Sequence, residues 1–351
     1  MERDSNFELL RIVAIVMIVL LHSNYESLGG VTLTNIDLDP IGSFGRALAE
    51  QMCLIGVNLF VLISGTFGIS PSIKGGLSIL FQVFFFHALI VLLFLGIGEP
   101  VSLRTIAVGF YFGCPYWFIT AYLVLYVLSP VLESFMLNVD QREHLLVLVA
   151  FFMFEFDYGW LTDAAAFVNG YSPISFVGLY MLARYIQRYS IKLLELSIWT
   201  DLSLYLLCSV IPVALYFLTG QQLNMLAYSS PFVIAASVFF YLAFNRMNFT
   251  SKTVNVLACS TLSIYLVHMH PLLQPYFLDF MRKAYNMLGG YWYMLVVFNV
   301  VAYMGIACIL LDKLRILLWK FLCKTVVDKS IGRWNRLVNK VYSRIEIGDE
   351  F

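Results

Sequence analysis

Charge is scarce in this chain: only 13% of its 351 residues are Asp, Glu, Lys or Arg, about half the share usual in a soluble domain. With 60% hydrophobic residues and a mean hydropathy of +0.82, a water-soluble globular domain is excluded. Metal-ligand spacing is missing as well. The cysteines (Cys53, Cys114, Cys208, Cys259, Cys308, Cys323) stand singly in or beside apolar segments. They support neither a disulfide framework nor a zinc site and read as small packing residues. The sequence also lacks an internal repeat, a low-complexity linker and a second soluble domain. Its first apolar run is too long for a cleaved signal peptide, and no small-x-small site closes it.

What the chain has instead is long, continuous apolar runs. A helix rises 1.5 Å per residue, so about twenty residues cross a hydrocarbon core. Strands of a membrane barrel would alternate over about ten residues; these runs do not. The expected fold is an all-α polytopic membrane protein with about ten transmembrane helices in one bundle. The spans read as 7–28, 44–67, 77–97, 114–137, 144–162, 172–188, 202–220, 227–245, 255–277 and 291–320. None is expected to break mid-membrane, and 101–113 reads as a short interfacial segment.

Ten spans put both ends on one side, and the basic residues say which. Eighteen of the twenty-two Lys and Arg fall on the terminal side, and only Arg46, Arg104, Arg282 and Lys283 fall on the other. Basic loops stay inside, so both termini are expected in the cytoplasm and the protein in the cell membrane. Residues 1–325 form the membrane domain. In the tail, 326–351, Val327, Ile331, Trp334, Val338, Val341 and Ile345 recur at helical spacing among basic residues. That pattern suits a helix lying on an anionic leaflet.

The first run, "RIVAIVMIVLLHSNY" (11–25), carries two ionisable groups. Arg11 and His22 are eleven residues apart, so at 100° per residue they share a face, separated along the axis by roughly 16 Å. Each alone has a plain reading, Arg11 snorkelling to the inner interface and His22 bonding a carbonyl near the outer one. Together they suggest a polar path through much of the membrane, since facing lipid costs several kcal/mol.

Arg-x10-His on the first helix resembles the signature of the membrane acyltransferase-3 family. Three more segments resemble it in order: "GVNLFVLISGTFGI" (56–69) with Ser64-Gly65, "YWFITAYLVLYVLSPVLE" (116–133), and "STLSIYLVH" (260–268). The resemblance implies O-acylation of sugars, usually transfer of acetyl from cytoplasmic acetyl-CoA to a hydroxyl of a cell-surface or lipid-linked glycan. Acetyl-CoA is then a co-substrate, and no metal or nucleic acid is expected. A neutral imidazole can take the hydroxyl's proton, so His22 reads as general base or as an acyl-carrying nucleophile. Arg11 could anchor phosphate or polarise the donor.

Other residues fill in the site. Glu26, at i+4 from His22, could orient the ring or be a solvated loop residue. Glu133 could pair a basic group or be interfacial. Asn58, Ser64, Trp117, Tyr265 and His268 are candidates for holding the acceptor, with interhelical bonding or an interfacial belt as the plainer readings. The family's Arg-rich donor loop is reduced here to Lys74, so donor contacts could shift to Arg184, Arg188 and Lys192, otherwise ordinary inner-face charges. His87 and His144 read as structural, and the pair His268/His270 lacks a third metal ligand. The rival readings are a transporter of a lipid-linked glycan and an inactive glycan-binding relative.

Overall fold

The computed structural model describes residues 4–109, 116–162, 164, 166–189, 196–221 and 227–346, with side chains as far as 339. Its architecture is all-α: 84% helix, with no strand among the described residues. Helix α1 (Ser5–Leu21) runs into a π turn, His22–Glu26. Then come α2 (Leu33–Leu38), α3 (Pro40–Cys53), α4 (Gly56–Phe67), α5 (Ile73–Gly96) and α6 (Leu103–Val108). They are followed by α7 (Trp117–Asn138), α8 (Gln141–Phe154) with a π turn at Glu155–Leu161, α9 (Pro173–Arg188) and α10 (Ile198–Thr219). The chain continues through α11 (Pro231–Asn245), α12 (Lys252–Ala258), α13 (Thr261–His268), α14 (Gln274–Leu322) and α15 (Asp328–Glu346).

Seven helical stretches are long and apolar enough to cross a membrane, and they correspond to seven of the expected spans. The other three differ. Helices α9 and α11 are only 16 and 15 residues long. On α9, Phe176, Gly178, Leu179, Tyr180, Met181, Ala183 and Tyr185 are buried, because it packs against α4, α7 and α8. A helix wrapped in protein does not need the length or apolarity that lipid demands.

The expected unbroken span at 255–277 is broken, and that at 44–67 is one apolar helical stretch with a turn inside it. Leu54–Ile55 interrupts α3 and α4, Cys259–Ser260 interrupts α12 and α13, and α14 begins only at Gln274. Irregular backbone at membrane depth is tolerated where it is buried in protein or lines a cavity, and both interruptions do so. Leu54 and Cys259 each line one of the two cavities described below.

Helix α1 is central, packed on α3, α4, α11, α12 and α13. Within a bilayer, apolar burial between helices gains little, so close approach of backbones matters more. A Cβ on Gly56 would stand 2.9 Å from the Ala14 carbonyl oxygen, and one on Gly65 would meet the Ala183 Cβ at 2.6 Å. The Ser64-Gly65 pair is thus where α4 lies against α9. Helix α14 turns at Gly289, whose φ of 74° and ψ of 173° suit glycine almost alone.

Candidate active site

The π turn sets the first feature of the site. In a regular helix Glu26 would stand one turn above His22. Here the backbone N–H of Ser27 reaches the His22 carbonyl instead, and the Ser27 hydroxyl donates to the same oxygen at 3.1 Å. Such turns recur at functional sites because they re-aim side chains. Glu26 is exposed, lines the same cavity as His22 and makes no hydrogen bond to it.

His268 does the orienting. Its Nδ1 lies 2.6 Å from the Ile264 carbonyl oxygen, and its Nε2 lies 2.9 Å from His22 Nδ1. A carbonyl oxygen can only accept, so His268 Nδ1 carries a hydrogen and, in the neutral ring, Nε2 is the acceptor. His22 Nδ1 must therefore donate to it. That leaves the lone pair on His22 Nε2, which has no protein partner among the described residues. His268 thus lies behind the His22 ring and lines neither of the two cavities described next.

Two cavities meet along α1. One, of about 330 Å³, holds Arg11, Ser64, Gln82 and Tyr122. The other, of about 190 Å³, holds His22, Glu26, Trp117, Tyr171 and Tyr228. Ile18, Val57 and Tyr265 line both and form the waist between them. The first cavity has exposed Cys259 and part-exposed Arg11 at its rim; the second has exposed Tyr25 and Glu26. Arg11 and His22 therefore share one stripe, as their spacing required, and each faces its own chamber.

Arg11 donates to Glu8 at 2.8 Å. Ser64 donates to the Phe60 carbonyl at 2.8 Å and stands 3.5 Å from the Tyr122 hydroxyl. In the His22 chamber Trp117, Tyr171 and Tyr228 form an aromatic wall, with ring centroids 4.6 Å apart for the two tyrosines and 4.7 Å for Trp117 and Tyr171.

The remaining expected residues fall elsewhere. Asn58 is buried and bonds the Tyr228 carbonyl and the Ser237 hydroxyl, so it ties α4 to α11 and lines neither cavity. Glu133 accepts from the Tyr180 hydroxyl at 2.5 Å and pairs with Arg184 at 2.7 Å. That ion pair serves both of their unmet charges within the fold. Arg188 caps the Met136 carbonyl and lies over the Tyr189 ring. Lys74, at the start of α5, pairs with Asp328 at 2.7 Å, which ties that end of the helix to the tail helix. None of these basic residues lines the Arg11 cavity, and Lys192 lies outside the described residues.

Residues that sequence reasoning missed complete the site. Gln82 lines the Arg11 cavity and donates to Asp312, which also accepts from Ser260 and from Arg315, at 2.9 and 2.5 Å. The signal was legible: Gln82, Asp312 and Arg315 are polar groups inside strongly apolar runs, and such groups are costly unless they face one another. His87 and His270 also pair, at 3.0 Å. Among the described residues no three His, Cys, Asp or Glu gather as a metal site.

A family model described as an acyltransferase domain matches residues 4–312. The curated proteins and the solved structures compared with the chain yield no match. The matched region runs from the start of α1, with Arg11 and His22, past His268 to Asp312, and the chain belongs to the membrane acyltransferase-3 family.

Proposed function

We infer that this membrane acyltransferase moves acetyl from acetyl-CoA to a hydroxyl of a cell-surface or lipid-linked glycan, with His22 as general base. The observation that carries the reading is the bare Nε2 of His22, held toward a cavity by the Ile264–His268–His22 chain of hydrogen bonds. In the reaction, Nε2 takes the acceptor's hydroxyl proton while that oxygen attacks the thioester carbonyl. The carbon–sulfur bond breaks, the electron pair leaves with the CoA thiolate, and the imidazolium returns its proton to that sulfur. As His22 gains charge, its Nδ1–H bond to His268 strengthens, the role an orienting acceptor plays in hydrolase triads.

The donor enters from the Arg11 side and the acceptor from the Glu26 side, and they meet at the waist of Ile18, Val57 and Tyr265. The ends of the chain lie in the cytoplasm, which puts Arg11 near the CoA source and the aromatic wall of Trp117, Tyr171 and Tyr228 outside. Aromatic faces with a polar rim suit a sugar ring. Arg184, Arg188 and Lys74 line neither cavity, whereas Arg11, though paired with Glu8, lines the first, so Arg11 is the cation assigned to the donor. The chain needs no metal for this chemistry; membrane lipids and the glycan are its partners, and the membrane is the cell membrane.

Purified protein given acetyl-labelled CoA tests the reading. Release of free CoA with transfer of label to a glycan acceptor, lost in His22→Ala, is expected. Retained transfer in His22→Ala overturns the assigned base, and acetyl found covalently on His22 would make it a nucleophile instead.

A further inference from the structure

A third opening lies behind the π turn, on the side away from His22. It is a cleft of about 410 Å³ between the end of α1, α3 and α14. The π turn divides its residues between the two spaces: Leu21, His22, Tyr25 and Glu26 line the reactive chamber, while Leu20, Ser23, Asn24 and Leu28 line the cleft. One helix thickness separates them.

The cleft is apolar below and cationic at its head. Its floor is kept open by two glycines, Gly45 and Gly290, at which an added Cβ would meet nothing within 4 Å. Its flank carries Tyr291, Met294 and Phe298, exposed by 79%, 46% and 57% along a helix that spans the membrane. Apolar side chains left bare there face acyl chains, so the cleft opens sideways into lipid.

At the head stands Arg46. It donates to Asn24 Oδ1 at 3.1 Å and to the Gly29 carbonyl at 2.8 Å, lies over the Tyr285 ring, and has the Glu50 carboxylate 3.9 Å away. One of its terminal nitrogens keeps its hydrogens free of any hydrogen bond among the described residues. Arg282 donates to the Ser27 carbonyl at 3.1 Å and is itself exposed. Two arginines thus bracket the turn Ser27–Gly29, which is also the rim beyond Glu26.

We propose that this cleft holds the chain of a lipid-linked acceptor, a polyprenyl phosphate whose phosphate sits at Arg46 and Arg282 and whose sugar bends over the Ser27–Gly29 turn to His22. The inference rests on the acyl-transfer reading and deepens it by naming the acceptor as amphiphilic. Charge complementarity selects the phosphate, since a guanidinium with free donors at the edge of an apolar slot favours an anionic head. Continuity selects the acceptor over a bystander lipid, because the slot and the reactive chamber share one turn of helix. Anchoring the chain fixes the sugar near the reacting atoms and makes the transfer effectively unimolecular.

The test uses the full-length protein in nanodiscs and polyprenyl phosphate with a diazirine in its chain. Irradiation is expected to label peptides covering Arg46–Cys53 and Tyr291–Phe298, and unlabelled polyprenyl phosphate should compete. Gly45→Leu and Gly290→Leu add bulk to the slot at positions where a Cβ meets nothing within 4 Å, and should each cut labelling by about tenfold, which corresponds to ~1.4 kcal/mol. Arg46→Gln removes the charge that the phosphate faces and should cut labelling as well, and unchanged labelling in that variant overturns the contact. Labelling elsewhere, or no loss in either leucine variant, overturns the proposal. So does equal labelling and competition by a diazirine phosphatidylglycerol, which would make the slot an ordinary lipid site. His22→Ala should label like the parent while losing transfer, so failure of the acyl-transfer reading and failure of the cleft are read separately.

Discussion

Two pairs of histidines lie in this membrane domain with nearly the same geometry and opposite consequences. His22 with His268 and His87 with His270 each have ring centroids 5.1 Å apart and planes inclined by 38°. Their nitrogens approach to 2.9 and 3.0 Å. The difference is at the ends. His87 Nε2 donates to the Ile106 carbonyl, His87 Nδ1 accepts from His270 Nε2, and His270 Nδ1 accepts the Leu272 N–H. Every nitrogen in that chain is used. The chain from Ile264 stops at His22, which lines a cavity and whose Nε2 has no hydrogen-bond partner among the described residues. The proposed base thus belongs to the pair with one end open, and the pair closed at both ends is assigned to structure.

The sharpest way to break this contrast is His22→Ala, for which acetyl transfer should fall by about 10³–10⁴, near the upper range of general-base effects. A similar fall for His87→Ala would abolish the distinction. Next comes the waist. Ile18→Phe narrows the lining that Ile18 shares with Val57 and Tyr265 between the two cavities, and transfer should fall by roughly 10² while acetyl-CoA binding, measured calorimetrically, stays. His268→Ala should cost about 10² in kcat with little change in KM. His268→Gln restores an acceptor for His22 Nδ1 and should recover part of the loss, a rescue that a purely packing role would not give.

His87→Ala leaves the buried His270 N–H without an acceptor and should lower stability in detergent by ~1–3 kcal/mol. Its kcat should remain within about twofold of the parent when assayed well below the melting temperature. The smallest effect is expected for Glu26→Gln, an exposed residue with no hydrogen bond to His22; kcat/KM should change by about twofold or less. A large loss there would restore the carboxylate to the role its spacing suggested.

Much of the architecture was legible because lipid imposes a simple rule: a segment facing acyl chains must be long and apolar. Seven such segments were readable, and α9, α11 and the broken α12–α13 departed from the rule where protein replaces lipid around them. The polar tail read as amphipathic, and α15 has that form, with Trp334 and Leu337 exposed. Of the site, Arg11, His22, Ser64, Trp117 and Tyr265 were readable as cavity residues, since a polar or amphipathic group inside an apolar run needs somewhere to face. Asn58 and Glu133 obeyed the same need by bonding neighbouring helices, and nothing local distinguishes the two outcomes. The partner of His22 was not readable either, because His268 is 246 residues away.

Composition and periodicity alone made this chain an all-helical membrane protein and aligned Arg11 with His22, because apolar length and a 100° step per residue act within one helix. Which nitrogen of His22 is left bare, where the two chambers join, and which basic residues are already engaged were decided only by how helices far apart in the chain came to rest on one another. Hydrogen-bond direction and cavity shape belong to contacts between helices, and those contacts exist only once the bundle has packed.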